Sequence, residues 1–600
     1  MILPILFLWG VGISAAAADP CLPDPCVHGS CSSSGTASAC ACSVGFDGLY
    51  CEIPALIAVV FSSNMVLARA PQSAVVFGAG NSTVPYDAVT VSLSGGGTWR
   101  VEADAAGAWS LTLPPHPATT VGLTLSAVSN ATGRAVVLTN VVFGDVFVCA
   151  GQSNVALAVS GGYVPYASAA EVEAWAPRYQ NVRLLNNGNF WPWFPSKPGS
   201  TPMGSEAGNP PGFRLPTAGN GTWQNPGTIA NFSATCWFFG AGLYDALSGT
   251  VPIGLIDNSA GGTSIVFWSS PETASACNAT TPGSPQPPDP RDYGVLFNSM
   301  IQPLSPMALS GIIFFQGESN ACGYAAAGQP CGGSFYACQL RALINDWRLK
   351  LKAPALPFLV TELGALVQPQ WPNMRAAMQA AVSGLANAGT VANHDLGWRQ
   401  DMHSRRKVAL GRRQQLWMLA NGAYRNASVS WSGPALERVV IAAGASGVVV
   451  TLFFTPATSA GLHFNGTADC AYNQPRGFVC CGATDSPVFL RVENVSAADG
   501  SGYTWARTAP PAVDATAGAV TAAFANASAV DLSRVRLGFE GWPTCALYNG
   551  VGGPDWGDAV AAEPFDVALD AAGHATPVPV PACIAPCPVE GAPADCCGPQ

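Results

Sequence analysis

Three short polar clusters carry the side chains able to attack, hold or polarise a carbonyl, and each follows an apolar run of strand length. Gly151-Gln152-Ser153-Asn154 follows Val146-Phe147-Val148-Cys149-Ala150; its glycine permits a sharp turn that exposes a hydroxyl at a helix start, so Ser153 is the candidate nucleophile. A serine in that place is equally suited to capping the next helix. In Ser259-Ala260-Gly261-Gly262-Thr263 the glycines let backbone N–H groups approach an oxyanion, and in Gln316-Gly317-Glu318-Ser319-Asn320 two amides stand beside one carboxylate. A serine nucleophile needs a base, and the chain has 6 histidines. His28 sits in a Cys-rich loop, His116 in a Pro-flanked turn, and His463 and His574 in a later β-rich region, which leaves His394 and His403. His403 closes Asp401-Met402-His403; residues two apart in an extended chain point the same way, so Asp401 is placed to orient the imidazole. The shorter reach favours Asp401, with Asp395 upstream in the same loop as the alternative acid.

The elements that must position these groups follow from the apolar pattern. Residues 142–425 hold buried-strand runs, at 146–150, 253–257, 311–315 and 357–361, each followed by a turn and a helix-length segment. The pattern predicts helices over 233–246, 335–351, 374–385 and 405–423, and a parallel α/β domain in which reactive groups collect at the carboxyl ends of the strands. On either side, 53–141 and 428–575 alternate short Val/Thr/Leu runs with Gly, Asn, Asp and Pro breaks, which predicts an N-terminal β-sandwich and a C-terminal β-rich module. A Cys/Pro-rich tail, 576–600, ends the chain.

Taken in order, Asp145 to Asn154, Gly254 to Thr263, Gln316 to Ala321 and Asp401 to His403 resemble the sialate O-acetylesterase family of SGNH hydrolases. Phe61-Ser62-Ser63-Asn64-Met65-Val66-Leu67, Ala342 to Arg348 and Cys545-Ala546-Leu547-Tyr548-Asn549 extend the resemblance over roughly 55–567. It implies an SGNH-type parallel sheet and a carbohydrate O-acetylesterase working through an acyl-enzyme: Ser153 as nucleophile, His403 as base, Asp401 as acid, no cofactor and no metal. It assigns oxyanion donation to the Ser153 backbone, to Gly262 and to an amide of the third block, Gln316 with Asn320 behind it. Val155 stands where the family usually has Met, Ser404 where Pro is common, and Asp401 lies two residues before the histidine rather than three. Arg405 and Arg406 are suited to a sugar carboxylate, though a solvated helix face explains them more simply; Trp191 and Trp193 are suited to sugar stacking, though core packing accounts for aromatics more often. An esterase for another acetylated polysaccharide, or an inert extracellular adhesion or matrix protein, are the competing readings.

The N-terminus and the cysteines set the compartment. Residues 1–18 read as a signal peptide, with an apolar start and an A-x-A site at Ala15 to Ala18. Nine N-x-[ST] sequons, at Asn81, Asn130, Asn220, Asn231, Asn278, Asn426, Asn465, Asn494 and Asn526, and 20 Cys fit a secreted, glycosylated and disulfide-bonded chain. Residues 19–52 hold Cys21, Cys26, Cys31, Cys40, Cys42 and Cys51, a spacing that resembles an EGF-like module. Six cysteines allow fifteen connectivities; the resemblance implies Cys21–Cys31, Cys26–Cys40 and Cys42–Cys51, in a module available for extracellular protein or glycan contacts. Cys149, inside a buried strand, reads as a small core residue, which leaves an odd number of thiols and hence at least one more free or paired between chains. Cys322, Cys331 and Cys338 are placed to staple a loop at the rim of the site. The 600 residues are 49% hydrophobic and 10% charged with a net charge of −10, which excludes global disorder and a polyanion partner such as nucleic acid. No further apolar run of about 18 residues marks a membrane span.

Overall fold

The alternating pattern of the first β-rich stretch becomes β1 (Val66–Ala68), β2 (Val75–Gly78), β3 (Ala88–Leu93), β4 (Gly97–Glu102), β5 (Trp109–Thr112) and β6 (Thr119–Ser129) in the computed structural model. In β3, Val89, Val91 and Leu93 face inward while Thr90 and Ser92 do not, the two-residue period of a half-buried strand. β6 pairs antiparallel with β3 on one side and with β7 (Ala135–Gly151) on the other. β7 has 17 residues and two characters. Its first part alternates against β6; from Val141 onward every residue is buried, and there it becomes a central strand of a parallel sheet. The composition boundary at 141/142 therefore falls inside one continuous strand that joins the N-terminal antiparallel strands to the parallel sheet.

That domain continues with α1 (Ser153–Ala156), α2 (Ala169–Arg178), β8 (Val182–Asn186), α3 (Ala234–Ala246), β9 (Ile253–Ser259), β10 (Gly311–Phe315), α4 (Gly333–Lys350), β11 (Phe358–Thr361), α5 (Trp371–Val382), β12 (Ala388–Val391) and α6 (Lys407–Asn421). The strands run parallel in the order β8-β9-β7-β10-β11-β12, so the chain leaves β7 to one side, returns, and fills the other. The carboxyl ends of β7, β9 and β10, where the strand order reverses, form the crevice that such a topology reserves for ligands. The main core lies around this sheet, with Trp237, Trp268, Trp347 and Trp417 nearly or fully buried.

The C-terminal module comprises β13 (Leu436–Ala443), β14 (Gly447–Phe454), β15 (His463–Gly466), β16 (Val488–Glu493), β17 (Tyr503–Arg507), β18 (Ala512–Asp514), β19 (Ala519–Ala525), β20 (Leu532–Leu537), β21 (Cys545–Tyr548), β22 (Phe565–Leu569) and β23 (Ala575–Pro577). Two antiparallel sheets, β13-β14-β19-β18 and β17-β16-β20-β22-β23, share a core that includes Val450, Leu452, Leu490 and Val535. β15 and β21 pair separately.

The structure describes 29–34, 37–42, 46–47, 53–58, 60–160, 166–186, 229–274, 277, 294–322, 331–368, 370–398, 401–467, 481, 486–493, 503–525, 532–540, 543, 545–550, 552–553, 556–557, 560–569 and 575–577. Residues 1–18, read from sequence as a signal peptide, lie outside the described residues with Trp191, Trp193 and the stretch beyond 577, as do Cys21, Cys26, Cys51 and the side chains of Cys31, Cys40 and Cys42. The backbone of Gly29–Ser34 pairs antiparallel with Ala37–Cys42.

The reading of Cys149 as a free core thiol is overturned. Cys149 in β7 is bonded to Cys236 in α3, and both residues are fully buried. The odd count of thiols built on it falls with it. Cys322 is bonded to Cys331, closing a loop just after the third polar cluster, while Cys338 pairs with Cys277 rather than within that loop. Among the described residues no cysteine is free. No helix among the described residues is long and apolar enough to cross a membrane.

Candidate active site

Gly151 ends β7 with φ +147°, and a Cβ there would stand 2.0 Å from the Phe315 carbonyl oxygen of neighbouring β10. Glycine is required for the strand to turn at that point, and the turn delivers Ser153 as the first residue of α1. Gln152, not Ser153, occupies the cap position, so helix capping does not describe the serine. Its Oγ instead lies 2.8 Å from Nε2 of His403, with Ser153 7% exposed. On the far side of the ring, Nδ1 of His403 is 2.8 Å from Oδ1 of Asp401, and the same oxygen accepts the His403 backbone N–H at 3.0 Å. The chain bends so that a residue two places back in sequence meets its neighbour's ring and main chain together. Ser153, His403 and Asp401 are thus brought into one line.

Asp395 is elsewhere. It is fully buried, and Arg413 donates to both its oxygens at 2.6 Å while the Tyr548 hydroxyl donates to Oδ2 at 2.8 Å. Burial opposes its charge, but the Arg413 guanidinium holds the carboxyl below the usual carboxylate range. His394 beside it is pushed down to about 3 by burial and is neutral.

The second and third clusters close round Ser153 from β9 and β10. Gly262 is exposed on a turn with φ +71°, a left-handed conformation that favours glycine. Gln316 is fully buried, and its amide nitrogen lies 2.8 Å from Asn320 Oδ1, 2.9 Å from the Thr263 carbonyl and 3.1 Å from Gln152 Oε1. Tyr336 donates to both the carbonyl and Oε1 of Gln316. Asn320 donates to Ser264 Oγ at 2.8 Å and accepts the Ile265 N–H at 2.9 Å. With two hydrogens shared among three acceptors, the Gln316 amide is committed to holding the cluster after β9 against the turn after β7.

Sequence reasoning gave Asn154, Glu318 and Lys407 no role, yet they underlie the site. Asn154 Nδ2 donates to Glu318 Oε1 at 2.5 Å and to the Met402 carbonyl at 3.0 Å, so one amide ties the residue after Ser153 to the residue before His403. Lys407 Nζ donates to Asn154 Oδ1 at 2.6 Å and to its carbonyl at 2.9 Å. All three are buried. Burial pushes Lys407 down to about 7, against the pull of Glu318 and Asp401, and raises Glu318 above the usual range despite Asn154 and the nearby His403 and Lys407. The signal for Lys407 was its spacing: with Leu410, Gly411, Gln414, Trp417 and Met418 it falls on the inward face of α6. Arg405 is exposed and stacks over the Trp398 ring at 3.4 Å. Among the described residues no group of His, Cys, Asp or Glu is gathered as a metal site.

A parallel sheet whose switch-point crevice holds a Ser–His–Asp line defines a hydrolase-type α/β fold. More particularly, residues 143–419 match the family model for carbohydrate esterase, sialic acid-specific acetylesterase. The sialate O-acetylesterase of Homo sapiens is 31% identical over 310 residues, 48% of this chain and 51% of that protein. That of Mus musculus is 30% identical over 322 residues, 47% and 54% respectively. The chain thus spans about half the length of the curated relatives it matches. The crystal structure of a carbohydrate acetylesterase from Xanthomonas citri superposes with a TM-score of 0.60 at 22% identity, covering 85% of this chain and 98% of that one, a likeness of fold.

Proposed function

We propose that this protein is a carbohydrate O-acetylesterase that hydrolyses acetyl esters on sugars through an acyl-enzyme on Ser153. The observation that carries the reading is the Ser153–His403–Asp401 line at the carboxyl edge of the sheet, inside the segment that matches the esterase model. Ser153 Oγ attacks the acetyl carbonyl as its proton passes to His403 Nε2. The imidazolium so formed faces the Asp401 carboxylate. The tetrahedral oxyanion takes N–H donors from the Ser153 backbone, free of an intrahelical partner at the start of α1, and from Gly262. Gln316 keeps that pocket in shape by holding the Thr263 carbonyl. Collapse expels the sugar oxygen, which recovers the proton from His403. Water, activated by the same imidazole, then releases acetate and restores Ser153.

The acetylated sugar itself is proposed from the match to sialic acid-specific esterases. Secretion is proposed from the apolar start, the sequons and the buried disulfides. Residues 19–52 are proposed as an EGF-like module making extracellular contacts. The test is acetate release from O-acetylated sialic acid, acetylated xylan and an aryl acetate, run beside Ser153→Ala. The expected result is activity in wild type and its loss in the variant, with the substrates ranked by kcat/KM. Equal inactivity of both proteins on all three would overturn the reading and leave a non-catalytic adhesion role.

A further inference from the structure

The Cys545-Ala546-Leu547-Tyr548-Asn549 motif lies far in sequence from the reacting groups, and no step of the proposed reaction uses it. Tyr548 ends β21 in the C-terminal module, is fully buried, and passes its hydroxyl into the α/β domain to Asp395. Asp395 stands at the foot of the loop that carries Asp401 and His403. Above that foot the loop closes on itself, because the Ser404 hydroxyl donates to the Leu396 carbonyl. Asp401 and His403 are bracketed between those two residues.

The foot is held firmly. Arg413 from α6 grips both oxygens of Asp395 and also donates to the Ala392 carbonyl at 2.8 Å. Ala392 packs with Ala546, Tyr548 and Ala561 in a small core shared by the loop and the module. On the other side His463 stacks on Tyr548 across the β15–β21 pair, with ring centres 5.8 Å apart, and Cys545 is bonded to Cys481. A charge-assisted hydrogen bond in such a dry place is worth more than one in water and constrains direction as well as distance.

We infer that Tyr548 is a positioning residue of the active site: through Asp395 and Arg413 it fixes the loop that presents Asp401 and His403 to Ser153, so the C-terminal β module is a working part of the catalytic unit. The inference rests on the proposed roles of Ser153 and His403. Asp395, the sequence's alternative acid, acts here as the anchor of the loop that bears the acid.

The test uses the full chain and Tyr548→Phe, which removes one hydroxyl and keeps the ring. Asn549→Ala is the control; that side chain donates to the Ser432 and Thr458 carbonyls in the same module and makes no contact with Asp395. Three experiments are run: kcat and KM on an aryl acetate, the rate of Ser153 labelling by a fluorophosphonate, and hydrogen exchange in peptides spanning 393–404. For Tyr548→Phe the expected result is a kcat loss of roughly tenfold with KM within about twofold, an equal loss in labelling rate, and faster exchange in the loop. Asn549→Ala is expected to lower the melting temperature while leaving labelling and loop exchange unchanged. Wild-type labelling and exchange in Tyr548→Phe would overturn the inference, as would equal losses in both variants. Failure of the esterase reading looks different: wild type itself would neither label nor release acetate, and loop exchange would still decide whether Tyr548 holds the loop.

Discussion

Replacing Asp401 with Asn separates its charge from its geometry. Oδ1 receives both the ring Nδ1 contact at 2.8 Å and the His403 backbone N–H at 3.0 Å, and an amide oxygen can accept in the same place. What the variant loses is the negative charge facing the imidazolium. With charge centres about 4 Å apart and an effective dielectric of about 20, suited to side chains 17% and 12% exposed, that attraction is about 4 kcal/mol. That ion-pair attraction exists only when the ring carries a positive charge, so in the proposed mechanism the loss falls on the step that protonates His403. At about 1.4 kcal/mol per decade the expected fall in kcat is roughly 10²–10³. KM should stay within about twofold. The assay is acetate release from an aryl acetate and from an acetylated sugar, with circular dichroism and melting to show the fold intact. A kcat loss below about threefold in a folded Asp401→Asn would refute the assignment of Asp401 as the acid.

Further outcomes follow from the buried groups. Lys407 has its folded value near 7 against an ordinary 10.5, so between those values the folded chain binds fewer protons than the unfolded chain, and stability gains with rising pH through this group. Below about 7 both states are protonated and the burial penalty is fully present. Relative to Lys407→Met, wild type should therefore gain roughly 2–4 kcal/mol between pH of about 6.5 and about 9.5 in urea titrations, and parallel pH profiles would refute this. Cys236→Ser opens a bridge spanning 87 residues and should lower unfolding free energy by about 2–5 kcal/mol, with the new Cys149 thiol reacting with maleimide only after unfolding. Rapid labelling of that thiol in the native protein would contradict the buried bridge.

The apolar runs made the parallel strands legible because strands buried on both faces carry no alternation to confuse with a surface helix, and the polar clusters marked their carboxyl ends. The Ser153–His403 pair could be reached by eliminating histidines, since only two of six stood outside turns and β-rich stretches. What sequence could not show was pairing across distance. Nothing local to Cys149 distinguishes a packed thiol from one that meets Cys236 on a covering helix. Gln316 reads as a free donor until its amide is seen to be shared among three acceptors.

Asp395 shows the same limit in another form. As a carboxylate in the right loop it competed with Asp401, and only the arrival of Arg413 from α6 and Tyr548 from the following module gives the two acids different surroundings. Asp395 is bonded to a guanidinium and a phenol, from Arg413 and Tyr548, rather than to His403. Asp401, 12% exposed and bonded to the His403 main chain, has one aimed at the ring. Under the proposed mechanism, two acids six residues apart divide the work, one anchoring the loop and one serving the base, because different elements converge on each.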